Sequence, residues 1–355
     1  MASILSLPLH LIAGILSLLD NIQQLPSILL SHPVFYSAIL ETPTLPLDIL
    51  HRTIPSSLLP LAVATYESQS AIRESHGLGV EAFLVECYGN APRDINGGQL
   101  RLSVAQALQL DNVYGAISEL SNEFALCSLR RIHGLRKYDP IPDDQQVSPI
   151  ESYRISRAFY RLQIYRNLFL SGKKESNLFA NSEDHTRDHL SRDKVQKDLL
   201  FGRHSPWVNE QLACVYDHLE LRLPVAYEQV VVNDFPWGTN LTEWVAEKAE
   251  IFEQQKCLSW GIPRLTQLLK ESTHEEWQYH IAGTSSHCQS SLREDLEEFN
   301  RGMRTHENQG LWLMADMNRL AREVDDDEIT TDDYPRRIWT AVHYDQVNRL
   351  FCLGD

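Results

Sequence analysis

Positive charge is missing from the start of this sequence: the first lysine or arginine is Arg52. The first fifty residues carry only three ionised groups, Asp20, Glu41 and Asp48. An apolar opening without a basic leader does not fit a secretory signal. The uncharged run ends at Asp20 and is interrupted by Pro8 and His10, too short to span a bilayer. Cysteines are few and scattered, at positions 87, 127, 214, 257, 288 and 352. No CxxC pair and no Cys–His finger spacing occurs, so neither structural zinc nor a disulfide framework is indicated. The expectation is reduced, mostly buried thiols, no metal, no membrane and a cytoplasmic or nuclear location. The sequon Asn240-Leu241-Thr242 is then idle.

Basic residues are also outnumbered overall: 32 Lys+Arg against 48 Asp+Glu leave a formal charge of −16 over 355 residues. Binding to duplex nucleic acid needs a basic surface that displaces counterions, so nucleic acid is disfavoured as a partner. Catalytic signatures are absent as well. There is no Walker loop, no GxGxxG and no GxSxG elbow, and Asn96-Gly97-Gly98 reads as a turn. No cofactor and no catalytic residue is therefore assigned.

What is present is helix periodicity. Prolines at 8, 26, 33, 43 and 46 divide the first fifty residues into short pieces. Pro8 and Pro26 each suit a helix entrance, and His32-Pro33 resets the chain before Val34, Phe35, Ile39 and Leu40. Leu11, Ile12, Ile15, Leu16 and Leu19 follow the spacing of a buried helical stripe. Longer helices follow from about Pro55. Val113, Ile117, Leu120, Phe124 and Cys127 step by four and three, and Ile155, Phe159, Leu162 and Phe169 continue in that manner. Ser205-Pro206 reads as an N-cap and a first-turn proline, with Val208, Leu212, Val215 and Leu219 behind it. A helix through Leu241, Val245, Ala249 and Phe252 is expected to break at Trp260-Gly261-Ile262-Pro263. Strand alternation is lacking, and Gln229 to Val232 is too short to found a sheet. The fold class is all-α: a small three-helix module over 4–50 and a larger irregular helical domain over 55–355. A mobile charged segment over 171–203 and an acidic loop over 323–333, before a last short helix near Arg337 to Phe351, complete the expectation.

Leu7-Pro8-Leu9, then Ile15-Leu16 and Leu18-Leu19, then Leu29-Leu30 and Phe35-Tyr36, resembles an F-box across roughly residues 4–40. His10 stands where that family usually has an acidic residue, and Pro33 falls where its third helix runs. The resemblance implies docking to the Skp-type adaptor of a cullin ubiquitin ligase, with the remainder recruiting an unknown protein target. It implies adaptor-facing or module-core roles for Leu7, Pro8, Ile15, Leu16 and Leu19. Ser152-Tyr153-Arg154 to Arg161-Leu162, with Ser205 to Leu212 downstream, is similar to a group of filamentous-fungal F-box-like proteins and supplies no catalytic residue. The alternative is a helical scaffold or regulatory subunit whose first helices belong to its own core.

Two further clusters are candidates. Arg154, Arg157 and Arg161 lie at three- and four-residue spacing and form a basic ridge suited to a phosphate or an acidic peptide, or else to nearby carboxylates. His185 and His189 share a helical face beside Glu183, Asp184 and Asp188, yet lack a third fixed ligand. His274 and His280 miss the four-residue step. Both read as solvated surface. The seven tryptophans, all beyond residue 200, read as core.

Overall fold

The computed structural model describes residues 7–74, 83–85, 101–132, 146–170, 195–202, 206–234 and 257–270, with Ile4, Val80, His204, Leu292 and Leu296. Every regular element among them is helical. The all-α expectation is met, and the prolines explain how the early helices are cut. Helix α1 (Leu9–Leu16) starts behind Pro8, and α2 (Leu25–Ser31) holds Pro26 in its first turn. Helix α3 (Pro33–Glu41) begins on Pro33, so this proline opens the helix instead of breaking it. His32 lies in extended backbone between α2 and α3, and its Nδ1 accepts the Val34 amide at 3.2 Å. Asn21 does the same for the 3-10 turn Ile22–Gln24, accepting from the Gln23 amide at 2.7 Å. Helix α4 (Leu45–Thr53) follows.

The body is built from α5 (Leu59–Glu74), α6 (Val104–Ile132), α7 (Pro149–Tyr165), α8 (Pro206–Asp234) and α9 (Ile262–Lys270). A reciprocal cap starts α7: Ser148 Oγ accepts from the Glu151 amide, and the Glu151 carboxylate accepts from the Ser148 amide at 2.7 Å. Helix α7 is the axis of the fold, packed by α5, α6 and α8, and it runs on as a π-helical turn, Arg166–Leu170. Every residue from Ala158 to Tyr165 is buried. A second π-helical turn, Gln196–Phe201, returns beside it, and the Phe201 ring stacks on Tyr165. Leu200 and Phe201 are fully buried, so the end of the expected charged segment is core; 171–194 lie outside the described residues. The stripe Val208, Leu212, Val215, Leu219 is buried as its spacing implies, whereas Cys127 leaves the α6 seam and is exposed. Gln229 to Val232 belongs to α8. The acidic loop, the last helix, the helix through Leu241 and the paired histidines also lie outside the described residues.

One apolar core runs through both parts of the chain. Ile12, Ile22, Leu25, Leu45, Ile49 and Leu50 are fully buried, in one cluster with Leu110, Val113 and Ile117 of α6. The 3-10 turn and α4 both lie against α6, and Gln23 Nε2 donates to Asp111 Oδ2 at 2.8 Å. Helix α1 packs on α3, which packs on α2.

Candidate docking surface

Helix α1 is apolar on nearly every side, and its two faces have different fates. Ile12, Ala13 and Leu16 are buried in the common core. Leu11 and Ile15, four apart, lie on the opposite side and are 48% and 42% exposed, and Leu18, in the turn just after the helix, is 60% exposed. Three further exposed apolar side chains follow in α2 and α3, where Leu30 is 89%, Tyr36 56% and Leu40 64% exposed. Tyr36 and Leu40 stand one turn apart on α3. Among the described residues between 7 and 270, six of the nine exposed large apolar side chains thus belong to a stretch of thirty residues. Isolated exposed leucines are ordinary, but so many in one short stretch of chain are not; charge borders them at Leu18, whose carbonyl accepts from Arg52 at 3.4 Å, beside the Arg52–Asp20 pair at 3.9 Å. Asp20 is the single ionised side chain between residues 4 and 40.

The five residues that the family resemblance points to are divided by the fold. Ile15 is on the outer face. Pro8 is exposed at the entrance of α1. Leu7 and Leu19 are half-buried and pack against the core, and Leu16 is buried outright. Leu16 therefore holds the module together and is not presented to a visitor. The sequence reading took Leu11 and Ile15 into one buried stripe with Ile12 and Leu16. Adjacent apolar positions on a helix differ by about 100°, so such a pattern covers more than one face. Leu18, Leu30, Tyr36 and Leu40 were missed as outward residues; the signal was a helix apolar all round with no charge to mark its wet side.

Gly14 lies in the middle of this face. It is exposed, and a Cβ added to it would meet nothing within 4 Å. Glycine inside a helix costs about 1 kcal/mol relative to alanine. Its carbonyl accepts from Ser17 Oγ at 2.8 Å, an interaction that any residue at position 14 would allow.

The expected basic ridge is not a surface. Arg161 is 1% exposed, and its guanidinium donates to the Val208 carbonyl at 2.6 Å and to Asn209 Oδ1 at 2.9 Å. The reason is its place in the half of α7 that neighbours enclose on all sides. Arg157, half-buried, donates to Gln211 Oε1 at 3.0 Å and lies over the Tyr153 ring. Arg154 is half-buried one turn earlier. The cluster joins α7 to α8 and does not offer three convergent charges to an anion.

A second polar cluster lies one turn on. Asn167 Nδ2 donates to the Thr65 carbonyl and Ser68 Oγ, while its Oδ1 accepts from Gln163 and Arg166. Gln163 Oε1 accepts the Ile262 amide at 2.6 Å, and Arg166 Nε donates to the Ser259 carbonyl at 2.6 Å. This hub ties α5, α7 and the turn before α9. Gly261, with φ +95°, lies so close that a Cβ would be 3.1 Å from both the Arg166 guanidinium and the Gln163 amide. Burial, with Arg264 nearby, lowers the Arg166 pKa to about 10, so it stays charged at neutral pH. Burial also raises the Tyr160 phenol far above its ordinary range. Each group is occupied with neighbours or shielded from solvent, and the described residues hold no cluster of His, Cys, Asp or Glu suited to a metal ion. Nor is any described helix long and apolar enough to cross a membrane.

Comparison with family models, with curated proteins and with solved structures yields no match for this chain.

Proposed function

We propose that this protein is a non-enzymatic, F-box-like adaptor. In this reading the outer face of α1 to α3 docks on the Skp-type subunit of a cullin ubiquitin ligase, and the helical body holds a protein target. It works by proximity, in the cytoplasm or nucleus where such ligases operate. The observation that supports the reading is the concentration of exposed apolar side chains in the leading helices: Leu11 and Ile15 on α1, Leu18 just after it, Leu30 on α2, and Tyr36 and Leu40 on α3. Apolar association supplies affinity when such a face leaves water, and a few well-packed side chains dominate it.

The competing reading is a helical scaffold whose first helices serve only its own core. The buried faces of α1, the 3-10 turn and α2 favour it: Ile12, Leu16, Ile22 and Leu25 do complete the core. One substitution on each side of α1 separates the two. Co-expression with a Skp-type adaptor should give a stoichiometric complex that Ile15→Asp abolishes while the free chain melts as before. Leu16→Asp should unfold the module in either reading, because it places a carboxylate in the core at a cost of about 4 kcal/mol or more. Failure of the wild-type chain to bind the adaptor would leave the scaffold reading in place.

A further inference from the structure

We draw no further inference here: the strongest candidate, the exposed apolar side chains of α1 to α3 and of the turn after α1, carries nothing beyond the docking reading already given, because nothing in the structure shows what covers them.

Discussion

The two ends of the described core invert each other. Around α7 the protein buries polar groups: Arg161, Gln163 and Asn167 are all nearly free of solvent. In α1 to α3 it exposes apolar ones. The interior polar groups are explained within the chain, because each has hydrogen-bond partners on another element. The exterior leucines have no such internal explanation, since the core already has its full layer from Ile12, Leu16, Ile22 and Leu25. A misplaced group with partners is a structural device, whereas one without them points outside the molecule.

The largest expected effect probes the interior half of that comparison. Arg161→Ala removes two donors from enclosed acceptors, the Val208 carbonyl and Asn209 Oδ1, and should lower unfolding free energy by about 3 kcal/mol in urea denaturation. A loss under 1 kcal/mol would mean that burial here is tolerated and not used.

His218 sharpens the same point through pH. Its ring meets Phe124 edge-on, centroids 5.2 Å apart, next to the Arg222–Glu123 ion pair. Burial, then Arg222, lowers its pKa to about 4, against an ordinary value of about 6.5. The unfolded chain therefore takes up a proton first as pH falls. The stability contributed by the neutral ring is complete above about pH 6.5 and is lost progressively towards pH 4, by up to about 3 kcal/mol. His218→Phe should flatten that part of a stability–pH curve; an unchanged slope would place the acid sensitivity elsewhere.

The smallest effect concerns the exterior half. Leu30→Gln and Leu40→Gln together should leave the melting temperature within about 1 °C of wild type, since exposed positions away from special features change stability little. A drop of several degrees would show that these leucines are enclosed by their own chain.

Sequence alone was enough for the helical class and for most entrances, because proline and cap residues act locally: Pro26, Pro33 and the stripe from Val208 to Leu219 are where spacing puts them. It was not enough for solvent exposure. The spacing of Arg154, Arg157 and Arg161 reads as a wet ridge only if α7 lies at the surface, and three neighbouring helices decide that it does not. The helical stripe read through α1 has the reverse limit: spacing groups Leu11 and Ile15 with Ile12 and Leu16, and only the fold separates them. The inner part, Ile12 and Leu16, was legible; the outer part, Leu11, Leu18, Leu30, Tyr36 and Leu40, depends on which side the rest of the chain covers.

The contact of Gln23 with Asp111 and the seating of α4 on α6 join the leading helices to the body through one shared core. On the adaptor reading proposed above, whatever grips the leading helices would hold the body in a bearing set when the chain folds and not during each encounter.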